Sequence, residues 1–356
     1  MDNVRIGKRL VGDGNPVYVI AEVGSNHDGK LDKAKTLADL AKKSGADAIK
    51  FQSFLAPKIV CRQGFESMGS RLSFQSKWKK SVYQTYKDAE FPREWHAEIA
   101  GHCRKIGIDF MSAPYDREAV DLLDGIGVPA FKIGSGDINF LSLIKYIAEK
   151  GRPIMLATGA STMDEIEEAV QAIRSTGNEQ IILLQCITNY PSPVEQANIR
   201  AMATLRQRFN ANVGYSDHSL GDIVPLAAVA LGACVIEKHF TEDKSMDGPD
   251  HPFAMDVSEF SGMVRSIRML EKALGTGEKK PVEAEKETII LQKRCIYAAA
   301  DIPRGARITA DMLAVLRPDL GIKPKYFDSV VGSKALADIK CGEPLTWQKV
   351  SKGGMA

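Results

Sequence analysis

The 356-residue sequence lacks the features that mark membrane, secreted or nucleic-acid-binding proteins. No stretch approaches the roughly 18 consecutive apolar residues of a membrane span, and the opening residues MDNVR contain no apolar signal core. The net charge is only +2, from 47 basic and 45 acidic residues, which leaves no broad cationic surface for nucleic acid. The sequence therefore predicts a cytoplasmic protein whose partners are neither membranes nor nucleic acids.

Cysteine is also scarce, and it is not arranged for disulfides or zinc. The six cysteines are scattered and include no Cys-x-x-Cys pair, which is typical of reduced thiols in a cytosolic protein. Apolar residues make up 44% and charged residues 26%, an ordinary globular composition that excludes wholesale disorder. The length suits two domains, or one (β/α) barrel of about 250 residues followed by a small module.

Short apolar runs alternate with amphipathic stretches from residue 17 to 274. The stretches Leu31–Ser44, Met163–Ser175 and Gly221–Leu231 have apolar residues at helical spacing. Apolar strands between helices indicate a parallel sheet covered on both faces, and eight such units favour a closed (β/α)8 barrel. A doubly wound open sheet is the alternative, because periodicity does not show closure. The eight predicted strands are Val17–Ala21, Ala48–Gln52, Asp109–Ala113, Ala130–Ser135, Pro153–Thr158, Ile181–Cys186, Asn212–Asp217 and Cys234–Phe240.

One insertion interrupts the pattern, from Phe54 to Phe91. It is too long for an ordinary βα loop and is rich in Lys, Arg, Ser and Tyr, above all from Ser76 to Ala89. In a barrel it would lie over the C-terminal mouth, where long insertions often serve function. A solvated insertion without function is the alternative.

The C-terminal segment contains an internal repeat. The pattern D-I-x-x-G-x-x-(I/L)-T occurs at Asp301–Thr309 and again at Asp338–Thr346, 37 residues later. Glycine in such a turn allows a positive φ, and the flanking apolar residues predict short strands, so we expect a small module with pseudo-twofold symmetry. The predicted organisation is a barrel over residues 1–274, a linker over 275–290 and the module over 291–356.

Polar side chains stand at the C-terminal ends of the predicted strands. Residues i and i+2 of a strand share a face, and an unpaired polar group buried there costs roughly 2–7 kcal/mol. Catalytic residues gather at this end of barrel strands, so the pattern predicts an active site in the barrel mouth. In strand order these residues are Glu22; Lys50 and Gln52; Ser112; Lys132 and Ser135; Thr158; Thr188, Asn189 and Tyr190; Ser216 and His218; and Glu237 and His239.

The last two strands each end in a histidine, so His218 and His239 would project into the same mouth. Two imidazoles, with Glu22 or Asp250 as oxygen donors, suit a borderline divalent ion such as Mn, Co or Zn. The spacing is not a closed Cys/His zinc motif, and hydrogen-bonded core histidines are the alternative.

Lys50 and Lys132 admit three roles. They could bind an anionic substrate, one could form a Schiff base, or both could neutralise Glu22 and Glu237. Nearby serine hydroxyls favour anion binding, because they add hydrogen-bond donors that a Schiff-base site does not need. Ser216 suits phosphate, which barrels commonly bind after the last two strands.

Several motifs together resemble the sialic acid synthases, the enolpyruvyl-condensing enzymes of nonulosonic acid synthesis. The repeat module, with Leu316-Arg317-Pro318, resembles the antifreeze-like, or SAF, domain that follows the barrel in that family. The resemblance covers nearly the whole chain, in order. The barrel motifs are IAEVGSNHDG at 20–29, AIKFQ at 48–52, FKIGSGDI at 131–138, YSDH at 215–218, IEKHF at 236–240 and GPDH at 248–251.

The resemblance implies an α/β fold, a (β/α)8 TIM barrel followed by a small β-rich SAF domain. It implies condensation of phosphoenolpyruvate with an open-chain N-acylated aminohexose to a nine-carbon 2-keto acid and inorganic phosphate. It also implies a divalent metal (Mn, or else Mg, Co or Zn) on His218 and His239, and a homodimer with the module laid over the partner's barrel. The implied roles are catalysis for Glu22, Lys50, Lys132 and Glu237; phosphoenolpyruvate binding for Lys50, Lys132, Ser135, Thr158, Thr188 and Ser216; and sugar binding for Gln52, Tyr190, Asp250 and, from the neighbouring subunit, Arg317.

The sequence also departs from the family pattern. Ala113 and Ala157 stand where the family usually has hydroxyls, so Ser112 and Thr158 are expected to serve the phosphate instead. The segment Trp78–Tyr86 is closer to the pseudaminic, legionaminic and spore-coat branches than to N-acetylneuraminate synthases, and the sugar is thus N-acetylmannosamine or a 6-deoxy-diacetamido hexose. A class I aldolase using Lys132 and a non-catalytic sugar-binding barrel are the alternative functions.

Overall fold

The computed structural model describes residues 2–68, 75 and 78–351, and the chain divides into two compact units, Met1–Gly275 and Thr276–Ala356. Part of the predicted insertion, residues 69–74 and 76–77, lies outside the described residues. The strands are β1 Val4–Ile6, β2 Arg9–Val11, β3 Tyr18–Glu22, β4 Ala48–Ser53, β5 Asp109–Pro114, β6 Phe131–Ile133, β7 Ile154–Ala157, β8 Ile181–Cys186, β9 Asn212–Asp217, β10 Val235–His239, β11 Cys295–Ala298 and β12 Leu313–Leu316. The helices are α1 Leu31–Lys43, α2 Ala56–Ile59, α3 Arg62–Met68, α4 Val82–Asp88, α5 Trp95–Ile106, α6 Arg117–Ile126, α7 Leu141–Ala148, α8 Met163–Arg174, α9 Ala201–Phe209, α10 Ile223–Ala230, α11 Val257–Leu274, α12 Lys286–Gln292 and α13 Phe327–Val330.

Eight parallel strands of the first unit form one sheet in the order β5-β4-β3-β10-β9-β8-β7-β6. The end strands β5 and β6, both fully described, lie beside each other without a hydrogen-bond ladder between them. The sheet is therefore rolled into a near-closed barrel with one seam. The predicted (β/α)8 barrel is confirmed, and the alternative of an open doubly wound sheet is wrong.

The barrel strands form where the apolar runs predicted them, because each strand is buried on both faces. Both ends of Ile181–Cys186 and Asn212–Asp217 agree with the prediction, and the other six strands differ by at most two residues at an end. Alternate side chains separate into two cores. One core packs under the helices, and the other fills the barrel interior with residues such as Ile20, Met111 and Ile182.

An N-terminal hairpin closes the bottom of the barrel. Strands β1 and β2 pair antiparallel, and Val4, Ile6 and Val11 join the interior core. At the same end the Tyr18 hydroxyl, on the first residue of β3, donates to Asp109 at the start of β5 (2.7 Å). The mouth at the C-terminal ends of the strands is therefore the open end of the barrel.

A buried ion pair joins the last two strands. Lys238 on β10 lies opposite Asp217 on β9, and both are 1% exposed. The Lys238 ammonium donates to the Asp217 carboxylate and to the backbone oxygens of Ser219 and Gly221. The three acceptors satisfy the donors of the ammonium and hold the loop after β9 against β10.

A second buried polar group lies between β4, β5 and helix α5. The Nδ1–H of His96 donates to the backbone oxygens of Pro92 and Arg93 (both 3.1 Å), so its Nε2 accepts from the Ser53 hydroxyl (2.6 Å). Ser53 in turn accepts from Ser112 (2.6 Å). Because the neighbouring Met111 belongs to the barrel interior, Ser112 points outward to the helix layer. The expectation that Ser112 serves the phosphate is therefore wrong.

The second unit contains the repeat. Ile302 and Ile339, the second residues of the two copies, form a β-bridge. Asp301 accepts from the backbone N–H of Cys341 (2.9 Å), and Asp338 accepts in the same way from Arg304 (2.7 Å). Each copy thus caps the turn of the other, which is the contact pattern of a pseudo-twofold module. Helix α12 begins at Lys286, inside the stretch predicted as a linker.

Within residues 2–68, 75 and 78–351, no helix has the length and apolar composition needed to cross a membrane.

Replacing Lys238 by alanine should leave the Asp217 charge buried and unpaired. We expect the free energy of unfolding, measured by urea denaturation, to fall by roughly 3–5 kcal/mol. The matched control is Lys280→Ala, which removes an ion pair with Glu278 whose side chains are 66% and 64% exposed, and it should cost about 1 kcal/mol or less. Equal losses in the two variants would contradict the interpretation.

The buried His96 should make stability depend on pH. Burial lowers the pKa of His96 to about 4, whereas an unfolded histidine titrates near pH 6.5. As the pH falls, the unfolded state therefore binds the proton before the folded state does. The contribution of neutral His96 to the free energy of unfolding is complete above about pH 6.5 and is lost as the pH falls towards 4. Between those limits the loss amounts to about 3 kcal/mol.

His96→Gln removes this titration. The difference in unfolding free energy between the native protein and the variant should shrink steadily as the buffer is taken from pH 7 to pH 4.5. A difference that is constant over this interval would show that His96 is not held neutral.

Candidate active site

Four charged side chains meet in the mouth of the barrel, at the ends of β3, β4, β6 and β10. Lys50 Nζ lies 2.6 Å from Glu22 Oε2 and 3.7 Å from Glu237 Oε1. Lys132 Nζ donates to the same Glu237 oxygen at 3.0 Å, and Ser216 adds a hydroxyl at 3.0 Å. All five side chains are buried. The strands predicted to bring these groups together do so, and each lysine is paired with a carboxylate.

The strand register sets these pairs. Glu22 lies opposite Lys50 on one neighbouring strand and opposite His239 on the other. Ser216 lies opposite Glu237. Glu22, Lys50, Glu237 and His239 share the interior face because each is an even number of residues from an interior apolar residue of its strand. Ser216 shares that face because it alternates with Val213 and Tyr215, which belong to the core under the helices.

The two carboxylates differ in their affinity for protons. Burial raises the pKa of Glu22, and the attraction of Lys50 only partly opposes the rise. Burial acts on Glu237 too, but Lys132 and Lys50 outweigh it and hold the pKa of Glu237 below its usual range. Glu237 is therefore an ionised partner of both lysines, and Glu22 is the carboxylate that can take up a proton. The same two carboxylates keep the pKa of Lys50 raised in spite of burial.

His218 and His239 stand side by side at the ends of β9 and β10, with ring centroids 5.5 Å apart. The Nδ1–H of His218 donates to the Ile187 carbonyl (2.7 Å), which leaves its Nε2 as an acceptor. Burial, reinforced by the other imidazole for His218 and by Lys50 for His239, lowers both pKa values to about 3. Both rings are therefore neutral, the state in which imidazole binds a metal.

The surroundings of the two rings fit a divalent ion that keeps open coordination positions. The buried Nδ1 of His239 has no hydrogen-bond partner among the described residues. Those residues contain no group of three or more His, Cys, Asp or Glu side chains that could hold a metal. The two imidazoles would thus supply two positions, and water or substrate oxygens the others.

Polar side chains pack closely around Gly159, at the end of β7. A Cβ atom at Gly159 would lie 2.3 Å from Thr188 Oγ1, 2.7 Å from Cys186 Sγ and 2.9 Å from Ser135 Oγ, so these groups can approach the backbone only because the residue is glycine. The Gly159 N–H donates to Ser135 Oγ (3.0 Å), and Ser135 is also 3.0 Å from the Cys186 thiol. Hydroxyls gathered in this way are donors that suit the oxygens of a phosphate.

Thr158 is placed differently. Its hydroxyl donates to the Leu184 carbonyl (3.1 Å), and it lines a separate cavity of about 630 Å³ against α8 and α9. The structure does not bring this hydroxyl to the two lysines, and its role in binding phosphoenolpyruvate stays a prediction.

Three of the four predicted sugar-binding residues lie in the barrel unit. Gln52 donates to Glu22 (2.7 Å), and the ring of Tyr190 lies 4.2 Å from that of His218. Asp250 accepts from both the backbone N–H and the hydroxyl of Ser25 (2.8 and 2.9 Å). The fourth, Arg317, is an exposed residue of the second unit just after β12, and its role stays a prediction.

Sequence reasoning missed several polar residues of the mouth. Tyr115 directly follows β5, Asp137 closes the turn after β6, and Tyr86 comes from helix α4 of the insertion. Burial raises the pKa of Asp137 to about 6, against the attraction of Lys132. Asp137 and Tyr115 could have been found by extending the search a few residues beyond the strand ends, but no local pattern marks Tyr86.

Comparisons with known proteins agree with this arrangement. The chain is 42% identical to an uncharacterized protein of Methanocaldococcus jannaschii, over 98% of both chains. It is 38% identical to the N,N'-diacetyllegionaminic acid synthase of Legionella pneumophila, over 94% of both chains. The structure of the spore coat polysaccharide biosynthesis protein SpsE from Bacillus subtilis superimposes with a TM-score of 0.65 at 36% identity, covering 98% of this chain and 99% of the other.

The family models divide the chain as its fold does. The SAF domain matches residues 293–351, within the second unit. The NeuB family matches residues 37–279, which include all of the barrel strands except β3. With the buried lysines and carboxylates in the mouth of such a barrel, the chain belongs to the NeuB family and carries a C-terminal SAF domain.

Proposed function

We propose that the protein condenses phosphoenolpyruvate with an open-chain N-acylated aminohexose, forming a nine-carbon 2-keto acid and inorganic phosphate. The observation that carries this proposal is the buried cluster of Lys50, Lys132, Glu22 and Glu237 beside two neutral histidines. Relatives include a legionaminic acid synthase, a pseudaminic acid synthase and a human N-acetylneuraminate-9-phosphate synthase. The same reaction type is the simplest inference for this chain.

The two lysines bind the anionic substrate. Phosphoenolpyruvate carries a carboxylate and a phosphate, and Lys50 and Lys132 are buried cations in the mouth. The hydroxyls of Ser135 and Thr188, which meet beside Gly159, provide donors for the phosphate oxygens. Glu237 holds the lysines in place between turnovers, because its carboxylate remains ionised.

His218 and His239 hold a divalent metal, with Mn the first candidate and Mg, Co or Zn as the others. A bound ion supplies Lewis-acid polarisation of the sugar's aldehyde oxygen. Tyr190 covers one side of the imidazoles, and Gln52 and Asp250 orient the sugar's polar groups.

The chain's own residues serve the bond changes as follows. C3 of phosphoenolpyruvate forms a bond to the aldehyde carbon, the aldehyde oxygen takes a proton from solvent, and C2 becomes a cation of the oxocarbenium type. Water adds to C2 and passes one proton to Glu22, whose raised pKa suits it to accept one and which returns it to solvent. The C2–O bond to phosphate then breaks, the remaining hydroxyl proton on C2 passes to the departing phosphate, and inorganic phosphate and the 2-keto acid are released. Asp137, with a pKa of about 6, can also exchange protons within the mouth.

A class I aldolase is the alternative chemistry. A Schiff base needs a neutral lysine amine, whereas Lys132 forms an ion pair with Glu237 at 3.0 Å. The ion pair favours the anion-binding role.

A phosphate-release assay tests the proposal. The purified protein is given phosphoenolpyruvate and either N-acetylmannosamine or a 6-deoxy-diacetamido hexose, with and without Mn²⁺. Release of phosphate that needs both substrates supports the condensation. Inactivation by borohydride in the presence of the sugar or pyruvate, without phosphate release, would instead establish the Schiff-base aldolase.

Lys50→Met should raise the KM for phosphoenolpyruvate roughly 10- to 150-fold, because one charge-assisted contact is lost. The KM for the sugar should change far less. The matched control is Lys35→Met, which removes a surface ion pair with Glu98 and should leave both constants unchanged. An unaltered KM for phosphoenolpyruvate in Lys50→Met would mean that this lysine only balances carboxylates.

His239→Ala should abolish binding of Mn²⁺ measured by equilibrium dialysis, together with the activity that Mn²⁺ restores after chelation. The far-ultraviolet circular dichroism should not change, since the side chain lies at a strand end. His102→Ala, on the outer helix α5, is the matched control and should bind Mn²⁺ like the native protein. Stoichiometric Mn²⁺ binding by His239→Ala would refute the metal site.

A further inference from the structure

The seam of the barrel places two polar side chains together that are remote in sequence. Tyr115 follows β5 and Asp137 follows β6, and these are the two strands whose edges meet without a ladder. A Cβ atom at Gly134 would lie 3.4 Å from Asp137 Oδ2 and 3.6 Å from the Tyr115 hydroxyl. Gly134 thus leaves a gap with a carboxylate on one side and a phenol on the other.

The phenol is held rigidly. The Phe54 ring, buried just after β4, packs perpendicular to the Tyr115 ring at 5.7 Å. The same Phe54 packs edge-on against Tyr86 of the insertion at 5.5 Å. Such edge-to-face contacts favour a defined ring orientation, and both tyrosine rings pack against one buried phenylalanine.

The Tyr115 and Tyr86 hydroxyls differ from those of four other tyrosines in their hydrogen bonding. Tyr18, Tyr146, Tyr215 and Tyr297 each donate to a carboxylate or a carbonyl oxygen. By contrast, neither the Tyr115 and Tyr86 hydroxyls nor the Asp137 carboxyl has a side-chain hydrogen bond to any described residue. Polar groups in a recess are normally satisfied by protein, water or ligand. All three residues are partly exposed, so these groups are open to a polar ligand as well as to water.

The charges around the gap select the ligand. Burial and the carboxylates of Asp137 and Glu22 raise the pKa of Tyr115 well above its usual value, so the phenol remains a hydrogen-bond donor. The same carboxylates repel phosphate and carboxylate groups. A neutral group with both a donor and an acceptor, such as a hydroxyl or an acylamino group, is complementary to the Tyr115 phenol and the Asp137 carboxylate. Of the two substrates of the proposed reaction, the acylated aminosugar therefore suits this gap and phosphoenolpyruvate does not.

We propose that Tyr115 is a further substrate-binding residue, whose hydroxyl donates to an oxygen of the acylated aminosugar while Asp137 accepts from a neighbouring sugar hydroxyl or amide. The inference rests on the proposed condensation, and it names a specificity-determining contact of the same site. Tyr86, held by the same phenylalanine, contacts the sugar from the side of the insertion.

Tyr115→Phe tests the contact, because it removes one oxygen atom and keeps the ring against Phe54. With a sugar that supports phosphate release, the KM for the sugar should rise roughly 2- to 13-fold, the effect of one neutral hydrogen bond. The KM for phosphoenolpyruvate should stay within about twofold of the native value. Tyr146→Phe, which removes a surface hydroxyl bonded to Asp121, is the matched control and should alter neither constant. Unchanged melting temperatures in both variants show that the fold is intact.

Three results would overturn the inference. An unchanged KM for the sugar would show that the hydroxyl does not meet it, and an equal rise for both substrates would show a general disturbance. A shifted acid limb of the pH–rate profile with an unchanged KM would show that Tyr115 acts only through Asp137. These results leave the proposed function standing, since it fails only when the native protein releases no phosphate with any sugar. In that event the affinity of the native protein and of Tyr115→Phe for the same sugars is measured by calorimetry. Equal affinities, or no binding by either protein, would overturn the proposed contact between Tyr115 and the sugar.

Discussion

Four buried charges at one end of the barrel constrain the rest of the structure. An isolated charge in such a place costs several kcal/mol or more, so Lys50 and Lys132 can be buried only because Glu22 and Glu237 are buried beside them. The pairs require four strands to end at the same level and in one register. Closing the opposite end with the N-terminal hairpin leaves this charged end as the place where the barrel interior meets solvent.

The cluster also divides the chemistry among its members. Because Glu237 contacts both lysines, it stays ionised and balances them. Glu22 meets a single lysine in an equally buried place, so its pKa is raised and it can exchange protons. Lys50 contributes to keeping His239 neutral as well, and a neutral imidazole retains the lone pair that a metal needs. One arrangement of charges therefore brings together two buried cations, a carboxylate with a raised pKa and a neutral imidazole.

The mouth combines donors and acceptors at short range. Lys132 and the hydroxyls of Ser135 and Thr188 are donors, and the Asp137 carboxyl lies within the electrostatic influence of Lys132. Burial nevertheless raises the pKa of Asp137 to about 6. In the proposed reaction the donors would face the anionic substrate, and the carboxyl and tyrosine hydroxyls would face the sugar.

The sequence by itself determined the parallel sheet of eight strands, the module and most of the site's composition. Eight apolar runs between amphipathic helices predict a parallel sheet that is buried on both faces. Polar residues at the C-terminal ends of such strands are therefore expected to line the mouth of the barrel. This strand-end pattern predicts Glu22, Lys50, Lys132, Glu237 and both histidines as residues of the mouth. The internal repeat predicts the C-terminal module.

Tertiary structure decided what local periodicity does not encode. The alternation of side chains along a strand shows that neighbouring residues face opposite ways, but not which face is the interior. The structure shows that Ser112 faces the helix layer, towards His96. The proton affinities of Glu22 and Glu237 differ because of the number of lysines within reach, which only the strand register sets. Tyr115 and Asp137 meet because the first and last strands of the sheet close on each other at the seam. Closure is a property of the whole sheet, since it depends on the summed twist of eight strands and not on any one of them.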